Sequence, residues 1–393
     1  MKQRRAVVLF NLFSFFNQLD FYVPIKVVYF HLLTGSYATA STIISVVWVA
    51  QALCEIPTGV FSDLIGRKRT IVLGSVLSLG AYLLYAWNGG YLFLLLGSAL
   101  EGGSRALFSG NNNAYLHNLL SAERKESAYQ HYYGRLNGLI GVAMVVAALG
   151  STLLLQWSPH LFMWINVLPQ LVTLVCALLL TELRRGDAER NVCRHLGEAF
   201  SELRDNLNLR YLSLAQILGG GGLASYEYQA AVYAAVWPVW AIGVARAIQE
   251  GGVVPSFYFA GPIIDRLGYV RVLAADRFVG TLGIVLAALA RSALSPLFIM
   301  LSLPLYGAGD SANQHLMQQE FTERQRATIA SLNSFGNSLT FALCLYLCGL
   351  IANAHGPFLA LLATQVFQLP SAYYQFKFLW RLGERRRATD RLK

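Results

Sequence analysis

Apolar stretches of the length a bilayer requires, about 20 residues each, recur from the first turn of the chain almost to its end. Windows of about 19 residues predict helices over 6–33, 39–64, 70–88, 91–117, 128–155, 161–182, 210–236, 239–262, 272–291, 295–320, 327–352 and 356–380, here called helices one to twelve. The polar segments between them alternate in character. Arg67-Lys68-Arg69, Arg124-Lys125, the segment 183–210, Arg266 with Arg271, Arg324 with Arg326 and the Arg385-Arg386-Arg387 tail are basic, whereas the intervening turns hold almost no Lys or Arg apart from Arg291. By the positive-inside rule both termini face the cytoplasm, which requires an even number of crossings.

Composition supports this reading. The 393 residues are 55% hydrophobic and 13% charged, against roughly 25% charged in ordinary soluble domains. The net charge of +10 sits in short loop runs, a distribution that fits membrane topology and not a nucleic-acid-binding face. The five cysteines are scattered without metal-ligand spacing and read as packing residues. Lys2, Arg4 and Arg5 precede an apolar run too long for a signal peptide and without a small-residue cleavage site, so helix one is expected to stay in the membrane. The expected organisation is a six-helix bundle over 1–182, a cytoplasmic linker over 183–209, a second six-helix bundle over 210–380 and a basic tail over 381–393. Leu196, Phe200, Leu203 and Leu207 recur in the linker at helical spacing, which suits an amphipathic interfacial helix as well as a plain tether.

Two loops carry the same motif. Gly59, Asp63, Gly66 and Arg67 lie between helices two and three, and Gly261, Asp265, Arg266 and Gly268 between helices eight and nine. Gly59 and Gly261, Asp63 and Asp265, and Gly66 and Gly268 are each 202 positions apart, so an internal repeat relates the halves. The loops resemble the G-x-x-x-D-R-x-G-R-R/K loop of the major facilitator superfamily, although Leu64 replaces the first Arg in the first copy. The resemblance implies two pseudo-symmetric six-helix bundles, alternating access, and gating roles for Asp63 and Arg67.

Two further motifs of that family match in part. Its fourth-helix R-x-x-Q-G-x-x-x-A stands here as Ser98-Ala99-Leu100-Glu101-Gly102-Gly103-Ser104-Arg105-Ala106, with the arginine about two turns late. The glycine-rich fifth helix of proton-coupled exporters is represented by Gly134, Gly138, Gly141 and Gly150 without its proline, which weakens the case for export.

Charges inside a bilayer are costly and mark functional candidates. Asp20, Arg105, Glu227 and Asp310 fall near the middle of helices one, four, seven and ten, the set that lines the central cavity in the family resembled. Asp20 resembles the embedded acid of drug and metabolite:proton antiporters. Burial favours its neutral form and a nearby cation its charged form, so it is the first choice for proton coupling, with Glu227 and Asp310 beside it. The competing reading is a structural acid bonded to Asn17 or a tyrosine. Arg105 and Asp310 follow Gly102 and Gly307 by the same three residues, and either pair across the cavity or leave Arg105 to hold a substrate carboxylate or phosphate. Tyr22, Glu101, Asn112, Asn113, Tyr226, Tyr228, Asn313 and Gln314 complete the expected substrate-binding set, whose neutral hydrogen bonders and aromatic walls suit a moderately polar organic molecule. Gly219 to Gly222 form either a gating hinge or a close helix contact. Glu55 with Arg135, and Arg246 with Glu250, are expected as ion pairs, and Lys26 is expected to snorkel outwards.

No catalytic constellation, nucleotide loop or metal-ligand cluster is present in the sequence. The expectation is therefore a multi-pass inner-membrane secondary transporter, monomeric and without a cofactor, coupled to protons and exporting a drug-like compound or a metabolite such as a siderophore. Proton-coupled uptake of an organic anion is the alternative, and a non-transporting sensor on the same fold the reading from another class.

Overall fold

The computed structural model describes residues 2–122, 129–182, 201, 203–301, 303–320 and 326–391, and for 2–5, 56–64, 122, 130, 318–319, 326–328 and 383–391 the backbone alone. The basic pair Arg124-Lys125, Arg324, and the linker positions Leu196 and Phe200 lie outside the described residues, as do the side chains of Asp63 and Arg326. Among the described residues all regular structure is helical.

Helices two, three, five, six, nine, eleven and twelve each form one continuous element: α3 (Tyr37–Ile65), α4 (Arg67–Trp87), α7 (Tyr129–Trp157), α8 (Pro159–Leu179), α13 (Tyr269–Ala290), α16 (Arg326–His355) and α17 (Pro357–Arg391). The others are interrupted. Helix one is α1 (Lys2–Gln18), a short 3₁₀ turn (Val23–Ile25) and α2 (Lys26–Thr34). Helix four is α5 (Tyr91–Phe108) and α6 (Asn111–Ala122), and helix seven is α9 (Leu207–Leu218) and α10 (Gly220–Val236). Helix eight is α11 (Val239–Tyr258) and α12 (Ala260–Leu267), and helix ten is α14 (Ser295–Met300) and α15 (Leu303–Glu320).

Local chemistry explains the first two breaks. Proline has no N–H to offer the carbonyl four residues earlier and its ring crowds that carbonyl, so Pro24 ends the helix across Asp20. In helix four Gly110 takes a left-handed φ of 67°, which only glycine adopts without strain. Interrupted helices are a recurrent source of binding sites in transporters, because their freed backbone groups must be answered by protein or ligand. All four helices bearing the mid-membrane charges of the sequence, one, four, seven and ten, are of this kind.

The duplicated loop is visible in the backbone. Gly66, entering α4, has φ 97° and ψ 149°, and Gly268, entering α13, has φ 79° and ψ 152°. The same left-handed bend recurs 202 residues later, where the sequence repeat places it.

Residue contacts group Met1–Ala188 with Trp237–Gly251 in one unit, and Glu189–Val236 with Gly252–Lys393 in another. In the first, α5 packs against α3 and α4, α4 against α8, and α1 against α7 and α8. In the second, α9 and α10 pack against α16 and α17, and α13 against α15 and α17. Exposed side chains are largely apolar, as at Leu53, Leu92, Leu153, Trp157 and Leu168, while Asp20, Lys26, Glu101, Asn166, Glu227 and Arg246 are buried. This inverts the arrangement of a water-soluble protein. Seven stretches among the described residues are long and apolar enough to cross a membrane.

Glycines set the tightest helix contacts. A Cβ on Gly102 would stand 2.3 Å from Val47 O and 2.8 Å from Gln51 N, both backbone atoms of α3. A Cβ on Gly220 would stand 2.3 Å from Asn337 O, and one on Gly222 the same distance from Gln368 Nε2. The glycines of helix seven thus serve close packing against α16 and α17. Gly102→Ala is expected to destabilise the protein by about 2 kcal/mol or more, since neither backbone can yield easily. The thermal midpoint of the purified protein in detergent should fall by several degrees, while Gly138→Ala, which enters open space, should leave it unchanged or higher.

Candidate functional site

The break in helix one brings its polar residues into the first unit. Asp20 is buried, and one of its oxygens accepts a hydrogen bond from Tyr82 Oη of α4. Its other oxygen, Oδ1, is buried with no hydrogen-bond donor among the described residues. Two residues on, the Tyr22 N–H donates to Asn166 Oδ1 of α8 at 3.2 Å, which answers a backbone group released by the break.

A second carboxylate lies close by and is held very differently. Four donors converge on Glu101 of α5. Arg105 Nη2 and Nε reach Oε1 at 2.7 and 3.0 Å, and the Tyr22 and Tyr85 hydroxyls reach Oε2 at 2.6 and 2.9 Å. Tyr85 also touches Ser98 Oγ at 3.2 Å, the position at which the superfamily motif has its arginine. Arg105 therefore finds a partner one turn earlier on its own helix, in an i,i+4 ion pair. With 31% of its side chain accessible, Arg105 makes its hydrogen bonds among the described residues through Nε and Nη2 and not Nη1, and its guanidinium carbon lies 5.8 Å from the Trp48 ring centre. The rings of Tyr22, Tyr82 and Tyr85 meet edge to face or tilted, with centroids 5.6 to 6.1 Å apart, and Phe30 closes on Tyr22 and Tyr85.

Lys26 departs from expectation. It is 5% exposed and acts electrostatically on both Asp20 and Glu101. Because the break shortens α2, its first residue faces the polar cluster and not an interface.

The remaining expected residues lie elsewhere. Asn112 and the exposed Asn113 stand beyond the break at Gly110, in the first turn of α6. There Asn111 Nδ2 donates to Arg67 O at 3.2 Å and Ser109 Oγ to Glu55 Oε1 at 3.2 Å, so the break in helix four is tied to the first motif loop. Arg135 is exposed. Asp265 and Arg266 are exposed in α12.

In the second unit, Glu227 and Tyr228 are buried on α10, Tyr226 is half-buried, and Gln314 is exposed. Asp310, half-buried on α15, has a neighbour that the sequence reading missed. Asp276 of α13 lies against Gly309, where an added Cβ would stand 2.4 Å from its Oδ2. Arg277 Nε donates to Gln375 Oε1 at 3.1 Å, and Gln375 Nε2 to Asn313 Oδ1 at 3.4 Å. These charges sit two turns inside α13.

Interrupted membrane helices, an apolar exterior and buried charges gathered on those interruptions define a polytopic membrane transporter and not an enzyme. The chain belongs to the major facilitator superfamily, whose family model matches residues 8–345. An uncharacterized MFS-type transporter of Methanocaldococcus jannaschii is 32% identical over 125 residues, which cover 30% of this chain and 29% of that protein. The crystal structure of a point mutant of the nucleoside transporter NupG superposes with a TM-score of 0.79 at 14% identity, over 95% of this chain and 99% of NupG. A bacterial homologue of the human lysosomal transporter Spinster gives 0.75 at 17% identity, over 96% of each chain. These likenesses establish the fold and leave the cargo to the site.

Proposed function

We propose that this protein is a monomeric, proton-coupled secondary transporter of a small, moderately polar organic molecule, with Asp20 as the proton-carrying group. The carrying observation is the contrast between the two carboxylates. Protonating Glu101 would displace one of four donors, whereas Asp20 can take a proton on Oδ1 without breaking any hydrogen bond among the described residues. A group that can gain and lose a proton at little structural cost suits coupling; one fixed by four donors suits anchoring.

The same geometry speaks to substrate. Arg105 offers a free donor edge while Glu101 balances its charge, and Asp20 Oδ1 offers an acceptor. The Tyr22, Tyr82, Tyr85 and Trp48 rings supply apolar walls. A neutral or cationic molecule with both donor and acceptor groups and an apolar face fits this set; a free organic anion would have to compete with Glu101 for Arg105. Efflux by proton antiport, of a drug-like compound or a secreted metabolite such as a siderophore, is the direction favoured by the resemblance of Asp20 to the first-helix acid of antiporters. In this reading the protein lies in the inner membrane with both termini cytoplasmic and two six-helix halves joined by 183–209. The loops at Gly59, Asp63, Gly66, Arg67 and at Gly261, Asp265, Arg266, Gly268 gate access, and Glu227 and Asp310 are secondary proton sites.

The test is a flux assay in everted membrane vesicles carrying an imposed pH gradient, run over a panel of cationic, neutral and anionic compounds. Substrate-dependent proton release is expected for members of the first two groups. Transport confined to anions, or flux indifferent to the gradient, would overturn the reading.

A further inference from the structure

Arg246 is the most deeply buried arginine described, 1% exposed, and its position is unexpected. It lies on α11, in the part of helix eight that packs in the first unit, and its Nε donates to Pro24 O at 3.1 Å across 222 residues of sequence. Its Nη1 donates to Gln249 Oε1 at 3.2 Å. Burying a guanidinium is costly unless it is closely satisfied, and a neutral side chain could pack the same space. Here the charge is placed on the backbone of the 3₁₀ turn that follows Asp20.

That turn is anchored from several sides. Phe21 lies against Gly150 of α7, where an added Cβ would stand 2.7 Å from its ring. Asn166 of α8 takes the Tyr22 N–H, and Tyr82 of α4 holds the Asp20 carboxylate. Arg246 is the charged member of the set and comes from 222 residues further along the sequence. Its helix is itself pinned to α7: Thr152 Oγ1 donates to Trp240 O at 3.2 Å, and a Cβ on Gly243 would stand 2.6 Å from Ala148 O.

We infer that Arg246 is a positioning residue for proton coupling: through the Pro24 carbonyl it holds the broken segment of helix one, and with it Asp20, in the geometry at which Asp20 exchanges its proton. The inference rests on the reading of Asp20 as the proton carrier. Movement of helix eight would then reach Asp20 through one hydrogen bond to the backbone, with no contact between the two side chains required. The charged and titratable groups acting directly on Asp20 are Tyr22 and Lys26 on its own segment, Tyr82 on α4, and Glu101 and Arg105 on α5. α7 contributes Gly150 at the segment and α8 the neutral Asn166.

The test needs no substrate. In the full-length protein reconstituted in lipid, the infrared band of the protonated Asp20 carboxyl is assigned by its loss in Asp20→Asn and followed against pH. In Arg246→Gln the midpoint of this band should move by about one pH unit or more, and amide exchange over residues 19–26 should quicken by about tenfold or more. Arg246→Lys, which retains a charged donor, should restore most of both. Should Arg246→Gln give no folded protein, Gln249→Leu removes a side-chain acceptor of the guanidinium and should move the midpoint by about half a unit. A midpoint and exchange rate unchanged in the folded variants, failure of lysine to restore them, or no protonated Asp20 band at any pH would overturn the inference. Vesicle flux indifferent to pH alongside these shifts would instead sink the transport reading and leave the positional role of Arg246 intact.

Discussion

Asp20→Asn is expected to abolish gradient-driven accumulation, by about 100-fold or more, while leaving the protein folded and able to exchange substrate down its own gradient. Asparagine is nearly isosteric and keeps an oxygen to accept from Tyr82, so the break in helix one and its ring cluster should persist. It lacks a site for the proton. If coupling requires Asp20 to be protonated in one half of the cycle and ionised in the other, a permanently neutral side chain uncouples the two flows without blocking substrate movement. Vesicles carrying the variant should therefore equilibrate labelled substrate at a rate within a few-fold of wild type yet fail to concentrate it when a pH gradient is imposed. Accumulation that survives in Asp20→Asn would move the coupling role to another acid, with Asp310 beside Asp276 the next to test.

The architecture was legible in the sequence because two independent signals agreed. Hydropathy gave twelve segments, and the loop repeat at a spacing of 202 divided them in two; both Gly66 and Gly268 prove to have the left-handed bend that makes glycine necessary there. The breaks were less visible. Pro24 stands four residues after Asp20, the spacing at which proline frees a helical carbonyl, but a hydropathy window of about 19 residues averages across the interruption. Glu101 and Arg105 stand at the i,i+4 spacing of a helical acid and base pair, a spacing that also suits two charges aimed separately at a cavity. Tyr82 and Tyr85 carried no local signal, since tyrosines late in a membrane helix also suit the interfacial belt. Arg246 and Pro24 are joined only by the tertiary fold. What escaped the sequence was therefore the partner chosen by each buried charge, more than the set of charges itself.

That choice of partner has a large expected consequence at Glu101. Removing one member of a buried pair commonly costs about 3–5 kcal/mol, because the other charge stays buried without compensation. Glu101→Ala would strand Arg105 and also leave the Tyr22 and Tyr85 hydroxyls without their acceptor. Since 31% of Arg105 remains accessible, water can answer part of its charge, and a destabilisation of about 3 kcal/mol is the expected outcome. Glu101→Gln keeps acceptor capacity while losing the charge, and should fall between Glu101→Ala and wild type. Replacing both partners by leucine removes the stranded charge and should recover much of the loss, so the double-mutant cycle should show a favourable coupling of about 1–3 kcal/mol. Thermal or denaturant unfolding in detergent of the wild type, Glu101→Leu, Arg105→Leu and the double variant measures all four corners. The Glu101→Leu/Arg105→Leu protein should nevertheless fail to transport, because it lacks the donor edge offered to substrate; recovered stability with lost flux would separate what the pair does for the fold from what it does for the cargo. A double variant that transports normally would confine Glu101 and Arg105 to holding α5 in place.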